Sequence, residues 1–298
     1  MTSVIEEFSV VLPARNEARA LPDLLARLRA RFPRAEVIVV DDASTDATAS
    51  VAAAAGARVI CQRYSMGNGA AVKAGARAAR HDVLVFMDAD GQHNPEEIPA
   101  LLAKIAEGYD MAVGARNRGA HASAGRRIAN AVYNLMASWI TGHRIDDLTS
   151  GFRAARARRF RQFISLLPNG FSYPTTSTMA FLRSGYPVAF VPVEVRSREK
   201  GTQSHIRPLR DGSRFFLIIF KMATLYSPLK IFAPVSATFF AAACSYYAYT
   251  FISKGRFTNM GVLLFSTAAL VFLIGLISEQ VTYLLYSQTA QRDSREGE

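Results

Sequence analysis

Short apolar runs alternate with helical stretches over the first 115 residues of the chain. The runs are rich in β-branched residues and are Phe8–Leu12, Glu36–Val40, Ala57–Cys61, Val83–Met87 and Met111–Gly114. Stretches rich in Ala, Leu and Arg lie between them, including Glu17–Arg31 and Pro95–Glu107. Asn94 and Pro95 give the second of these a helix cap and a first helical residue. Continuous apolar strands with helical crossovers predict an α/β fold whose mostly parallel sheet is covered on both faces.

The pattern is less regular after residue 115 and strongly apolar after residue 204. A helix is predicted from Arg126 to Ile140 and a strand from Val188 to Val195. Ile231–Ile252 and Met260–Ser278 carry no charge, and a helix of about 20 residues spans the roughly 30 Å of a bilayer's hydrocarbon core. Only Ser253–Asn259 separates the two runs, so we predict a transmembrane hairpin over residues 231–287.

The residues on either side of this hairpin, and those in its loop, predict its orientation in the membrane. Residues 206–230 contain the apolar run Phe215–Tyr226, which is too short to cross a bilayer and is interrupted by Lys221. We expect it to be an amphipathic segment in the membrane interface. Five basic residues lie from Arg207 to Lys230 and two lie in the hairpin loop, which predicts cytoplasmic termini. The polar residues 288–298 predict a disordered tail. The alternative is a pair of helices buried in a soluble protein.

Composition narrows the compartment and the class of partner. The first residues lack a basic segment followed by an apolar one, so we expect no signal peptide and a cytoplasmic domain over residues 1–205. A net charge of +11 suits phosphorylated substrates or an anionic membrane. The sequence contains neither zinc-finger spacing nor a run of five basic residues, which disfavours nucleic acid as a partner. Cys61 and Cys244 are far apart, which excludes a disulfide framework and indicates a reducing compartment. The Ala- and Arg-rich composition suggests a bacterial inner membrane.

Polar residues follow the predicted strands at the edge where open parallel sheets bind ligands. Asp41 and Asp42 end the second strand, where an acid can accept hydrogen bonds from a ribose or a base. Gly67 and Gly69 follow the third strand and let the backbone approach a ligand closely. The spacing is not the GxGxxG fingerprint, which disfavours a nicotinamide-dependent enzyme.

Asp88 and Asp90 end the fourth strand and point to the same side of an extended backbone. Two converging carboxylates repel each other unless a cation or a proton lies between them. Oxygen ligands suit Mg²⁺ or Mn²⁺ held by few protein groups and by substrate phosphates, and Gln92 can add a neutral oxygen. The sequence therefore predicts a divalent-metal site here, with a solvated turn as the alternative.

With these residues, the chain resembles family 2 glycosyltransferases of the GT-A fold, in the branch of dolichol-phosphate mannosyltransferases and bacterial polyprenyl-phosphate glycosyltransferases. The matching motifs follow the family order over nearly all of residues 8–205. They are the Pro-X-X-Asn-Glu turn at 13–17, VVDDASTDAT at 39–48, MGNGAAVKAG at 66–75, DADGQH at 88–93, VGAR at 113–116 and DLTSGFRA at 147–154. The hairpin is similar to that of members with membrane anchors.

The resemblance implies a role for each matching position. The nucleotide-sugar site would comprise Pro13, Arg15, Glu17, Asp41, Asp42, Gly67, Asp88, Ala89, Asp90 and Arg198. The metal would be held by Asp88, Asp90 and Gln92. The acceptor phosphate would be bound by Arg116, Arg126, Arg127 and Asn130, where Arg127 is a rival of Arg126 and the family usually has Ser in place of Asn130. The candidate catalytic residues are Asp90, Arg116 and Arg126. A solvated basic face is the alternative for the arginines.

Two stretches depart from the family pattern. FSYPTTSTMAF at 171–181 replaces an aromatic-X-Phe-Gln-X-Glu stretch, so the family carboxylate is missing and the sugar contacts stay unassigned. REKGTQSH at 198–205 replaces R-x-x-G-x-S-K with one extra residue and a histidine. Arg198, Ser204 and His205 are therefore only loosely matched to a role on the diphosphate.

These observations lead us to expect an enzyme that transfers a hexose of mannose or glucose type, with inversion, from a GDP- or UDP-linked sugar. The acceptor would be a polyprenyl or dolichyl phosphate at the cytoplasmic membrane face. A phosphate dianion needs no general base, which fits the missing carboxylate. The alternatives are a transferase of the same fold acting on a sugar hydroxyl, and an inactive membrane scaffold. The sequence is also compatible with a homo-oligomer.

Overall fold

The computed structural model describes residues 5–116, 124–170, 172–194, 224 and 226–295, and of residues 124–130, 254 and 285–295 it describes the backbone alone. The chain divides into two compact units, Met1–Ser138 with His143–His205 and Trp139–Gly142 with Ile206–Glu298. The first contains a seven-stranded sheet and its helices, and the second contains two long apolar helices.

The sheet of the first unit is parallel apart from one strand. Its strands are β1 Ser9–Ala14, β2 Glu36–Asp41, β3 Arg58–Cys61, β4 Val83–Phe86, β5 Met111–Arg116, β6 Arg153–Arg156 and β7 Val188–Val193. They lie in the order β3-β2-β1-β4-β6-β5-β7, and only β6 runs antiparallel to its neighbours. Because β1 pairs in parallel with both β2 and β4, the carboxyl ends of these three strands lie side by side.

Seven α-helices lie between these strands in the described part of the chain. They are α1 Leu21–Arg31, α2 Thr48–Ala54, α3 Asn68–Ala78, α4 Ile98–Ala106, α5 Ala124–Thr141, α6 Ala157–Gln162 and α7 Tyr173–Arg183. A short 3₁₀ turn, Pro95–Glu97, leads into α4, and the side chain of Asn94 accepts a hydrogen bond from the backbone N–H of Glu96. The predicted helix cap is thus confirmed.

Alternation along β1 divides the core between the two faces. Val10 and Leu12 are buried in one cluster with four leucines of α1, which recur at helical spacing. Val11 points to the other face and packs against α3 at Gly75. A Cβ atom on Gly75 would collide with Val11 and would lie 3.2 Å from Cγ2 of Val40. The missing side chain therefore brings α3 close to the sheet.

The predicted, mostly parallel α/β fold is confirmed, with one strand that the sequence pattern does not indicate. β6 has the sequence Arg-Ala-Ala-Arg, in which no residue is β-branched or aromatic, so its intrinsic strand preference is weak. Its pairing with β4 on one side and β5 on the other supplies the hydrogen bonds that hold it extended. Tertiary contacts therefore decide its conformation.

The second unit is built on two helices, α8 Pro228–Lys254 and α9 Asn259–Arg295. Contacts run along their length in antiparallel order. Ser236 Oγ donates a hydrogen bond to the carbonyl of Ala268 over 2.8 Å, and a Cβ on Gly275 would lie 2.6 Å from Cβ of Phe232. At the start of α8, the N–H of Leu229 donates to Oε2 of Glu279 over 3.2 Å. The helices are thus closely packed and joined at both ends.

Both helices are long and apolar enough to cross a membrane, over Pro228–Ser253 and Asn259–Leu284. Few of their residues are buried within the protein, unlike core helices of a soluble protein. The tail predicted to be disordered from Gln288 differs from the structure, in which α9 continues to Arg295. Residues 288–295 contain no Gly or Pro that would end the helix. The predicted amphipathic run Phe215–Tyr226 lies almost wholly outside the described residues.

We expect Gly75→Ala to destabilise the protein, because the added methyl group would force the sheet and α3 apart. Overpacking of this kind costs about 1–3 kcal/mol of the free energy of unfolding. Denaturation of the full chain in detergent, followed by circular dichroism, measures the change. Gly170→Ala is the matched control, since nothing lies within 4 Å of its added Cβ. Equal stability of the two variants would contradict the packing described above.

Candidate active site

The loops that follow β1 and β2 are tied to each other by hydrogen bonds. The N–H of Asn16 donates to Ser44 Oγ over 2.9 Å, and Oδ1 of Asn16 accepts from the N–H of Thr45 over 2.8 Å. Asn16 and Ala43 have φ angles of 57° and 54°, which side chains other than glycine rarely adopt and which cost free energy. The hydrogen bonds hold these strained turns in place.

Of the predicted donor-site residues nearby, Pro13 is partly buried and Arg15 is exposed.

Asp41 and Asp42 are buried at the end of β2, with 6% and 5% exposure. Asp41 accepts hydrogen bonds from the N–H and Oγ of Ser44. Asp42 accepts from Met66 N over 2.7 Å and from Gly67 N over 3.0 Å, and also from a serine hydroxyl in the same loop. Both aspartates therefore fix the loops that form the edge of the site.

Gly67 has a φ of 98° and precedes α3. A Cβ atom there would lie 2.6 Å from the carbonyl oxygen of Asn169, and one on Gly69 would collide with the carbonyl of Pro168. The N–H of Ala70 donates to that same Asn169 oxygen over 3.1 Å. The close approach predicted for these glycines exists, but its partner is the chain's own 168–170 segment. The sequence motif alone could not reveal this, because the two segments are about a hundred positions apart.

Asp88 and Asp90 follow β4, on either side of the buried Ala89. Desolvation raises the pKa of Asp88, and the charge of Asp90 raises it further, against the opposing effects of His93 and a hydrogen bond from the Asn68 side chain. A buried carboxylate whose ionisation is opposed by desolvation and by a neighbouring negative charge is a site where a cation is favourable.

The neighbours of this carboxylate pair fit a divalent ion. A Cβ atom on Gly151 would lie 3.1 Å from Oδ2 of Asp88, so the glycine leaves room for the carboxylate. The N–H of Gln92 donates to Oδ1 of Asp90 over 3.1 Å, and Gln92 is partly buried. Within the described part of the chain, no three His, Cys, Asp or Glu side chains are grouped to hold a metal. The oxygens present suit Mg²⁺ or Mn²⁺ completed by substrate phosphates.

Arg116 ends β5 and is held by a carboxylate, Asp147, that is not among the site residues predicted from the sequence. Its Nε donates to Asp147 Oδ2 over 2.8 Å and its Nη2 to Oδ1 over 3.2 Å, while Nη2 also reaches Thr149. Burial alone would raise the pKa of Asp147, but the hydrogen bond and charge of Arg116 hold that pKa below its ordinary value. The Arg116 side chain stays 43% exposed and can meet an anion. Asp147 opens the DLTSGFRA motif, which was the available signal.

The other predicted acceptor residues lie on α5. Arg126, Arg127 and Asn130 are within this helix, and their side chains lie outside the described residues. Arg198 and His205 are also outside the described part of the chain. The structure therefore brings together the residues of β1, β2, β4 and β5, and it leaves the roles of these five positions as predictions.

Arg153 is a fully buried arginine beside the site and is not among the residues predicted from the sequence. Nη1 donates to the carbonyl of Pro174 over 2.9 Å, to Ser177 Oγ over 2.7 Å and to Thr178 Oγ1 over 3.2 Å. Desolvation lowers its pKa. Residues 173–181 of the hydroxyl-rich stretch that departs from the family pattern thus lie in α7, where they place neutral oxygens around a buried guanidinium.

His93 closes the DADGQH motif and is also buried, with 7% exposure. Its ring stacks on Phe152 with centroids 5.0 Å apart and an interplanar angle of 23°. Desolvation lowers the pKa of this histidine, against the charges of Asp88 and Asp90. The stacking joins the loop after β4 to the SGF segment that precedes β6.

Two family models match the chain. The one described as Glycosyl transferase family 2 matches residues 9–165, and the one described as GtrB C-terminal hairpin matches residues 227–284.

Three curated relatives illustrate the likeness. The chain is 27% identical to Glycosyltransferase AglJ of Haloferax volcanii over 92% of this chain and 93% of that protein. It is 32% identical to undecaprenyl-phosphate mannosyltransferase of Micrococcus luteus over 64% of this chain and 84% of that protein. It is 33% identical to undecaprenyl-phosphate 4-deoxy-4-formamido-L-arabinose transferase of Pseudomonas fluorescens over 76% of this chain and 68% of that protein.

Among solved structures, the chain is similar to glucosyl-3-phosphoglycerate synthase from Mycobacterium tuberculosis, in complex with Mn²⁺, UDP and glucosyl-3-phosphoglycerate. The TM-score is 0.56 at 24% identity, over 72% of this chain and 78% of that chain. At this identity the likeness shows a shared fold, which agrees with the predicted fold class.

We expect Asp147→Asn to lower the free energy of unfolding by about 1–2 kcal/mol, because a charged hydrogen bond to a partly exposed arginine is weakened. The pKa of Asp147 lies below its ordinary value of 3.8, so its stabilising effect is complete above that value and is lost as pH falls through the folded-state pKa. The difference between wild type and variant should therefore shrink in acid.

Thermal denaturation at several pH values measures this difference. Asp146→Asn is the control, because Asp146 pairs with an arginine that is 83% exposed. A gap between wild type and Asp147→Asn that stays constant down to about pH 3 would contradict the assigned pKa shift.

Proposed function

The chain belongs to glycosyl transferase family 2 and is a glycosyltransferase, and we propose that it transfers a hexose from a nucleotide-diphosphate sugar to a polyprenyl phosphate. What most supports a lipid acceptor is that a family 2 region and a GtrB-type hairpin occur in one chain. Two relatives above 30% identity are named as undecaprenyl-phosphate transferases, which agrees with this class of acceptor.

The donor nucleotide would lie along the carboxyl ends of β1, β2 and β4. The residues proposed to line it are Pro13, Arg15, Glu17, Asp41, Asp42, Gly67, Asp88, Ala89, Asp90 and Arg198. The hydrogen bonds that Asp41 and Asp42 make to their own loops support an arrangement in which they shape the pocket walls. Mannose or glucose as the sugar, and GDP or UDP as the carrier, are the forms that we propose.

Asp88, Asp90 and Gln92 would hold Mg²⁺ or Mn²⁺. When bound, such an ion supplies positive charge that stabilises the departing nucleoside diphosphate. Asp88 and Asp90 would set its position at the end of β4. The raised pKa of Asp88 supports this assignment, because it reports a negative charge that the protein alone compensates only in part.

Arg116 would bind and orient the acceptor phosphate, together with Arg126 or its rival Arg127 and Asn130. A phosphate monoester is mostly a dianion at neutral pH, so its oxygen can attack without prior removal of a proton. That oxygen forms a bond to the anomeric carbon as the bond to the diphosphate oxygen breaks on the opposite side, which inverts the configuration. The bidentate pair with Asp147 would keep the guanidinium in the required orientation.

The hairpin would place this reaction at a membrane. We propose that α8 and α9 span the bilayer, that the catalytic unit faces the cytoplasm of a bacterial cell, and that residues 206–230 lie in the interface. A tethered enzyme meets a lipid acceptor at a higher effective concentration.

Transfer to a sugar hydroxyl is the second candidate function, and the missing family carboxylate counts against it because a hydroxyl needs a base. Assembly as a homo-oligomer also remains a prediction.

We expect Asp88→Asn and Asp90→Asn each to lower transfer by at least about a hundredfold, the range seen when one preorganised polar group is lost from an active site. The measurement is glycolipid formation by the membrane-bound protein, scored by chromatography over a panel of nucleotide sugars and polyprenyl phosphates. Asp82→Asn changes an exposed aspartate just before β4 and should retain activity. Full activity of the wild type in chelator would overturn the metal assignment.

We expect Arg126→Ala to raise the KM for the lipid phosphate or to lower kcat, with nucleotide-sugar affinity almost unchanged, because the arginine is assigned to the acceptor. Arg127→Ala, measured in parallel, decides between the two rivals. Arg144→Ala removes an arginine that is 83% exposed and serves as the control. If Arg126→Ala instead abolishes nucleotide binding, Arg126 belongs to the donor side.

A further inference from the structure

Gln62 is a buried glutamine whose side chain makes no hydrogen bond in the structure. It directly follows β3 and is 9% exposed. Both its amide nitrogen and its amide oxygen are closed to solvent and lack a partner. Leaving a buried polar atom unsatisfied costs free energy, and each such group calls for an explanation, such as a functional role or a bound water or ion.

The backbone places Gln62 at the donor edge of the sheet. Its N–H donates to the carbonyl of Asp41 over 2.9 Å. Asp41 pairs with Cys61 in the parallel register of β2 and β3, so Gln62 is level with Asp42 at the carboxyl ends of the two strands. Ligands of open parallel sheets bind at this edge.

The neighbouring acids are engaged with the protein itself. Asp41 accepts hydrogen bonds from Ser44, and both carboxylate oxygens of Asp42 accept from the loop that begins α3. The amide of Gln62 has its donor and its acceptor capacity intact. Of these three side chains, Gln62 is the one that makes no side-chain hydrogen bond, so turning its amide toward a ligand would break none.

We propose that Gln62 reads the nucleobase of the donor: its amide forms two parallel hydrogen bonds with the edge of the base. An amide presents a donor beside an acceptor, and nucleobases present the complementary pair on their edges. Uracil and guanine both offer a ring N–H next to a carbonyl oxygen. This inference rests on the proposed function, because it assumes a nucleotide donor at this edge.

The test is calorimetry on the full-length protein in detergent with MnCl₂, using UDP, GDP and base-free pyrophosphate as probes. Gln62→Met keeps the length of the side chain and removes both hydrogen bonds. We expect it to weaken binding of the preferred nucleoside diphosphate by about tenfold or more and to leave pyrophosphate affinity unchanged. Gln162→Met makes the same substitution on α6, away from the strand ends, and should change neither affinity.

Gln62→Glu gives a second, directional readout. A carboxylate only accepts hydrogen bonds, so it matches the two adjacent N–H groups of guanine and repels a carbonyl of uracil. We expect the ratio of GDP to UDP affinity to rise by about tenfold or more. A buried group with a purely structural role would not shift this ratio.

Any of the following three outcomes would overturn the inference. If Gln62→Met melts at the same or a higher temperature and binds both nucleotides as the wild type does, Gln62 is only an unsatisfied core residue. If the variant loses pyrophosphate as well, the substitution disturbs the whole site and the base-specific contact is wrong. If the wild type binds none of the three probes, the proposed donor fails together with the role of Gln62.

Discussion

The architecture of the site depends on how the protein compensates the negative charges of carboxylates. The sheet brings these carboxylates to one edge and buries them away from water. Asp41 and Asp42 are compensated by backbone N–H groups of the adjoining loops. Asp147 is compensated by the guanidinium of Arg116. Asp88, by contrast, faces a second carboxylate, Asp90, and its pKa is raised. At this edge of the sheet, the charges of the outer aspartates are therefore compensated by the protein, whereas the pair Asp88 and Asp90 favours a cation.

The departure from the family pattern at the start of α7 gains a physical meaning from Arg153. A buried guanidinium normally calls for a carboxylate, yet here it is surrounded by Ser177, Thr178 and a backbone carbonyl. Neutral oxygens solvate the cation without cancelling its charge. The positive charge therefore still acts on Asp88, whose pKa it lowers in part. The unusual stretch is consequently a part of the electrostatics of the site.

The sequence could predict the features that local pattern controls. Strand periodicity, the cap at Asn94 and the position of acids at strand ends all follow from short segments, and the structure contains them. It could not predict β6 or the contact between Gly67 and Asn169, because both depend on segments distant in the chain. The pairing of Arg116 with Asp147 is of the same kind. Candidate residues were thus accessible from motifs, whereas their partners required the fold.

The bond between Leu229 and Glu279 has a mechanical consequence for the hairpin. The short loop fixes α8 to α9 at one end, and this bond fixes them at the other. Gly275 and Ser236 add close contacts between these points. Sliding of one helix along the other would break all of these contacts together. In a bilayer of different thickness the two helices should accommodate the mismatch by tilting as a single body.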